Sequence, residues 1–252
     1  DVQVLHSDTG VLPTGGGTGS SRGLIAGGTS LNLVLQEARQ KLIAIAAHQL
    51  DCGQEDVVLE GRLAYDQRDP QQTVPFARLA EAAHTEELLP PGQEPGLDFK
   101  GSTTLRKSPY AFGAHMAVVE VSRETGTIKI LKYLAVHDSG TIINPVLAEG
   151  QVHGAVAQGI GQALFEGMAY SPEGQPLSGS LMDYALPRSD NMPDFILDTL
   201  ETPSPLTAFG AKGIGELPTL AAPVAVVNAV MDALSQTGVR NIDAPLSPEK
   251  VW

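Results

Sequence analysis

Three glycine-rich segments hold the residues whose types and spacing suit chemistry. In Gly210-Ala211-Lys212-Gly213-Ile214-Gly215-Glu216-Leu217-Pro218 one carboxylate stands between a loop that can approach a ligand closely and the start of an apolar helix. Two influences on the Glu216 carboxyl oppose each other: burial raises its pKa, and a helix N-terminus lowers it. A lone Glu is ordinarily a solvated surface residue, but this one has glycines and apolar residues for neighbours. In Gly15-Gly16-Gly17-Thr18-Gly19-Ser20-Ser21-Arg22 small residues let backbone N–H groups converge on an anion, with hydroxyls and a guanidinium beside them. A plain flexible loop fits the same composition. The segment lacks the Gly-Lys-Ser/Thr ending of a P-loop, and Arg22 stands where a dinucleotide fingerprint needs its third glycine. The third segment, from Gln151 to Gln162, sets Gln151, Gln158 and Gln162 in a glycine-rich helix. Such amides suit a heterocycle offering both donors and acceptors, and equally suit the wet face of an ordinary packed helix.

Other chemistries find less support. Asp8-Thr9-Gly10 and Asp138-Ser139-Gly140 look like the paired loops of aspartic proteases, but such an enzyme is nearly all β and this chain has long helical stretches. The six histidines form no His-x-His or His-Glu-x-x-His pair, and a packing role is the better expectation for His153. Cys52 is the only cysteine, so this chain alone builds no disulfide, zinc cluster or iron–sulfur site. A net charge of −13 without any basic run argues against nucleic acid. No apolar run reaches membrane-spanning length and no signal peptide opens the chain, which together with the cysteine usage suggests a reducing, cytoplasmic setting. The chain opens on Asp1 and reads as a fragment or processed piece of a longer protein.

The elements that must position these segments follow from periodicity. Asp1–Leu5 reads as a short strand. Leu31, Val34, Leu35, Ala38, Leu42, Ile45 and Ala46 keep the 3.6-residue period and predict a helix over about 30–50, capped by Thr29 or Ser30. A strand pair around Gly61 is expected over 57–65, and a short helix capped by Thr73 from Val74 to Ala83. The chain reads as a single domain over 1–252, with Pro90, Pro91 and Pro95 marking 85–100 as the candidate internal boundary. His115–Val121 and Thr127–Val136 form a hairpin. Pro145 opens a helix reaching about Tyr170, with Gly150, Gly154, Ala157 and Gly161 on a side that admits another backbone. A strand over 194–201 precedes a final helix, 219–234, apolar almost all round and expected to be buried. The fold class is α+β, with mixed sheets and long helices.

The order of these pieces resembles the second molybdenum-cofactor-binding region of the molybdenum hydroxylases, the xanthine dehydrogenase, aldehyde oxidase and carbon monoxide dehydrogenase family. It runs from Asp8-Thr9-Gly10, Pro13 and the first glycine loop through Tyr110-Ala111-Phe112-Gly113-Ala114-His115 and Asp138-Ser139-Gly140. Ile143-Asn144-Pro145, Gly150-Gln151-Val152-His153-Gly154, Gln158-Gly159-Ile160-Gly161-Gln162 and Asp183-Tyr184 follow, and Gly210 to Glu216 ends it. The resemblance covers the chain to about Leu234.

It implies an oxidoreductase that hydroxylates an aldehyde, an N-heterocycle or a related carbon centre, with water as the oxygen source. The molybdenum is held through a pterin dithiolene, often as the cytosine dinucleotide in bacteria, and the protein supplies no metal ligand. Glu216 is then the catalytic base. Gly19, Ser20 and Ser21 match the loop close to metal and cofactor, Gln158 the pterin-contacting glutamine, and Lys212, Gly213 and Gly215 the flanks of the base. Arg22 and Gln151 are weaker matches. The family's large subunits are longer: a first half supplies the substrate channel, and [2Fe–2S] clusters and FAD lie on other chains or domains. The isolated chain is therefore expected to be inactive. A non-catalytic structural or assembly module is the alternative.

Overall fold

The computed structural model describes residues 2–12, 15–105 and 107–252; Asp1 and Pro13, named above, lie outside them. The described chain divides into two compact units, Ala26–Thr104 and the remainder. The proline-rich stretch 85–100 lies inside the first of these, so the boundaries fall at Ile25/Ala26 and Thr104/Leu105 instead.

In the Ala26–Thr104 unit, helix α1 (Thr29–Leu50) follows a π-helical turn, Gly23–Gly28. Its N-cap position is Gly28, without a side-chain cap. The Ser30 hydroxyl expected to cap it accepts instead from the Thr103 N–H, at 3.0 Å. Strands β1 (Val57–Glu60), β2 (Leu63–Asp66) and β3 (Asp69–Pro75) form an antiparallel meander, with Gly61 at φ +57° in the first turn. Pattern reading misses β3 because Asp69, Pro70 and the glutamines are poor strand formers; pairing with β2 recruits them. Thr73 and Val74 belong to that strand, so α2 (Phe76–Ala83) starts after Pro75. Ile45, Ala46, Val57, Ala64, Leu79 and Ala82 form the core.

In the other unit, Val2–Leu5 forms no strand and is exposed, because two alternating valines without a partner cannot satisfy an extended backbone. Strands β4 (Phe112–Val121) and β5 (Ile128–Asp138) form the expected hairpin. Asn144 caps helix α3 (Pro145–Leu164) by accepting the Leu147 N–H at 3.1 Å. The helix ends short of Tyr170 because the N–H groups of Phe165 and Glu166 both close on the Gly161 carbonyl. Strand β6 (Phe195–Leu200) pairs parallel with β5, and helix α4 (Leu217–Ala233) is followed by the short α5 (Pro248–Val251). The sheet packs Ile130, Tyr133 and Ala135 against Val152, Val156 and Ile160 of α3 and Ala222, Val226 and Val230 of α4. The close approach between helices is at Gly159, where a β-carbon would lie 2.5 Å from Ala222 Cβ; Gly150 and Gly154 face open space. Helix α4 is not buried all round, since Leu220 and Val224 are exposed. Two small sheets with long helices make an α+β fold.

One polar cluster sits inside this unit's core. His115 on β4 lies opposite Ala135, between the diagonal neighbours Tyr133 and His137 of β5. Its Nδ1 is 2.7 Å from the Tyr133 hydroxyl and its Nε2 2.7 Å from His137 Nε2. Burial, then the nearby His137, lowers the His115 pKa to about 4; burial also lowers His137. Both rings fold neutral, because two imidazolium rings would oppose N–H to N–H. Between about pH 6.5 and the folded values the unfolded chain binds more protons than the native one, so stability is full above that window and falls as pH drops through it. The melting temperature should therefore decline between about pH 6.5 and about pH 4, and His115→Gln should flatten the decline. Equal slopes for the two proteins would show that the cluster is not its source.

Candidate active site

The first glycine loop, α3 and the 210–216 loop meet in one place. Ser20 and Ser21 both take left-handed backbone conformations, at φ 53° each, an unusual state for two successive side-chain-bearing residues. The turn aims the Ser21 hydroxyl at the Glu216 N–H, which donates to it at 2.9 Å. A β-carbon at Gly213 would lie 2.7 Å from Ser21 Cβ and 3.1 Å from the Ser21 carbonyl oxygen. At Gly215 it would lie 3.1 Å from Gln151 Oε1 and 3.3 Å from Ser21 Oγ. The glycines are thus required by close approach to the serine turn and the Gln151 amide.

Glu216 occupies the N-cap position of α4 with its side chain exposed, and Pro218 opens the helix behind it. Gln151 and Gln158, two turns apart on α3, are both exposed, and Gly154 between them faces open space. Gly19 also has an open side, and Arg22 is exposed on the same loop. The structure therefore brings Ser20, Ser21, Gln151, Gly213, Gly215 and Glu216 together. Gln158 lies farther along α3 on the Gln151 side. His153 is not on that strip: it is 3.9 Å from Glu149 and its ring lies 5.4 Å from Phe195.

Lys212, expected to flank the base through the same loop, turns its side chain away from this strip. Its ammonium points inward and donates to Asp138 Oδ1 at 2.9 Å, with only 7 % of its side chain and none of the carboxylate's exposed. Burial alone would raise the Asp138 pKa, but hydrogen bonds from Thr202, Lys212 and the Gly140 N–H outweigh it and keep the carboxyl well below its ordinary value. The sequence gives Asp138 no role as a partner of the 210–216 loop. Its Asp-Ser-Gly triplet was visible, but a pairing across 74 positions leaves no mark in one sequence. The protease alternative fails here: Asp138 holds an ammonium, Asp8 is exposed, and each carboxylate accepts the N–H of its own triplet's glycine, at 2.9 and 2.8 Å.

A family model described as "Molybdopterin cofactor-binding domain" matches residues 1–193. The chain belongs to that family. Among curated relatives, the molybdopterin-domain chain is 41 % identical over 94 % of its length to the nicotine 6-hydroxylase large subunit of Paenarthrobacter nicotinovorans. It is 34 % identical over its whole length to the carbon monoxide dehydrogenase large chain of Hydrogenophaga pseudoflava. It spans only 29 % and 31 % of those two proteins. Of solved structures, quinoline 2-oxidoreductase from Pseudomonas putida 86 matches with a TM-score of 0.83 and 36 % identity, over 93 % of this chain and 30 % of that one. A reconstituted CO dehydrogenase from Oligotropha carboxidovorans matches with a TM-score of 0.87 and 30 % identity, over 97 % and 30 %. No helix among the described residues is long and apolar enough to cross a membrane, and none of their His, Cys, Asp and Glu side chains groups into a metal site.

The residues present fit a bound pterin. The serine turn, the open side of Gly154 and the exposed amides of Gln151 and Gln158 leave a polar strip with room beside it, next to the exposed carboxylate of Glu216.

Proposed function

We propose that this chain is the molybdopterin-binding part of a molybdenum hydroxylase large subunit, oxidising an aldehyde, an N-heterocycle or a related carbon centre with water as oxygen source. When bound, the molybdenum–pterin group supplies a two-electron acceptor. The protein's share is proton transfer and positioning. Glu216 serves as the general base that takes the proton from the attacking oxygen. Its place at the N-terminus of α4, with its own N–H tied to Ser21, fixes the backbone from which the carboxylate reaches. Gln151, Gln158 and the backbone N–H groups around Gly19, Ser20, Ser21, Gly213 and Gly215 hold the pterin, with Arg22 available to its anionic portion. Lys212 contributes through its backbone, because its side chain is engaged with Asp138.

The observation that carries this reading is the convergence of the serine turn, Gln151 and the two loop glycines on the backbone of Glu216. The preceding part of a full-length large subunit would supply the substrate channel and the opposite face of the pterin site. Further subunits carrying [2Fe–2S] clusters and FAD would take the electrons, with the cofactor in its cytosine dinucleotide form and the complex in the cytoplasm.

The test is molybdenum and pterin analysis of this chain alone, and of the full-length large subunit purified with its partner subunits. Molybdenum and pterin are expected in the complex and absent from the isolated chain. A folded complex without molybdenum would end the cofactor reading and the role of Glu216 with it.

A further inference from the structure

We propose that Asp138 is a positioning residue: its buried ion pair with Lys212 locks the 210–216 loop to the end of β5 and thereby sets where Glu216 stands. This rests on the reading of Glu216 as the base. Asp138 closes β5, and its Oδ1 receives both the Lys212 ammonium and the Gly140 N–H, each at 2.9 Å. The ammonium also lies 5.0 Å from the centroid of Phe112, the residue paired with Asp138 across the hairpin. Backbone contacts run alongside: the Lys212 N–H donates to the Ser139 carbonyl at 2.7 Å, the Thr141 N–H to the Gly210 carbonyl at 3.2 Å, and Gly140 and Ala211 form an antiparallel bridge. Immediately downstream come Gly213 and Gly215 against Ser21, then the Glu216 N–H on the Ser21 hydroxyl.

Stability does not explain an ion pair in this place. Desolvating two charges offsets much of their attraction, and neutral groups of the same shape commonly serve a fold as well. What such groups lack is direction. An ammonium held between a carboxylate and an aromatic face fixes the lysine, and the lysine begins the short backbone path to Glu216.

The experiment uses the full-length enzyme with its partner subunits. The double variant Asp138→Asn/Lys212→Met keeps volume and the acceptor for Gly140 while removing both charges. It should melt within a few degrees of the parent, yet hydrogen exchange at the amides of Thr141, of residue 212 and of Glu216, all hydrogen-bonded in the parent, should rise by about tenfold or more. Turnover should fall by about a hundredfold at nearly unchanged KM, as misplacement of a reacting group by about 1 Å does. A second neutral pair, Asp138→Asn/Lys212→Leu, should show the same loop exchange and serves if the first folds poorly; a single Asp138→Asn would strand the buried ammonium. Unchanged exchange at the loop in a folded variant overturns the proposal, whatever the activity. Faster exchange with full turnover supports the anchor and removes Glu216 from the reaction, so the two readings fail separately.

Discussion

Glu216→Gln in the full-length enzyme is expected to lower kcat by about 10²–10⁴-fold while molybdenum and pterin content stay at the parent level. The substitution keeps the side-chain volume and leaves the backbone N–H free to donate to Ser21, so neither the loop nor α4 has cause to move. What it removes is the proton acceptor. Because an interaction of the transition state is lost and uniform binding is not, kcat and kcat/KM should fall together with KM little altered. Steady-state kinetics beside metal analysis decide it. Near-parental turnover would exclude Glu216 as the base, and a parallel loss of molybdenum would make it a binding residue.

Gly140→Ala is expected to be the most damaging single methyl in this region. Gly140 sits at φ +65°, where an L-residue is strained by about 1–2 kcal/mol. Its added β-carbon would also overlap the Gly210 carbonyl oxygen and lie 3.1 Å from Lys212 Cγ. Relief requires opening the Gly140–Ala211 bridge, at an overpacking cost of about 1–3 kcal/mol. A loss of about 2–5 kcal/mol should appear as a lower urea midpoint at an unchanged slope. Gly150→Ala is the matched control: its β-carbon would meet nothing, and replacing a glycine inside α3 should stabilise by roughly 0.5–1 kcal/mol. Equal midpoints for the two variants would show that the 140–211 bridge does not hold the fold.

Pattern reading reached the parts of this protein that local periodicity encodes. The β4–β5 hairpin, α1, the start of α3 and the glycine loops flanking Ser20 and Glu216 all announce themselves through apolar spacing, Pro145 or clustered glycines. It failed where tertiary contact overrules local preference. The polar β3 forms because β2 offers it a ladder, and Ser30 leaves its capping position for the distant Thr103 N–H. Gly159, not Gly154, turned out to be the helix-packing glycine, because the partner α4 decides which side of α3 is covered. Within the site, each loop could be singled out alone. Their meeting depended on the family resemblance, and the inward turn of Lys212 toward Asp138 was signalled by neither.

The link between Ser21 and Glu216 also has a timetable. The two residues are 195 positions apart, with the whole Ala26–Thr104 unit between them in the chain. At roughly 5–20 residues per second, a growing chain carries its serine turn for about ten to forty seconds before the glutamate that completes it has been made. Throughout that interval Ser20 and Ser21 lack the 210–216 loop that packs against them, and their left-handed turn has no such partner to hold it. The Ser21–Glu216 contact is therefore a late product of synthesis, and whatever rests on it must be delivered to a chain already extended past Glu216.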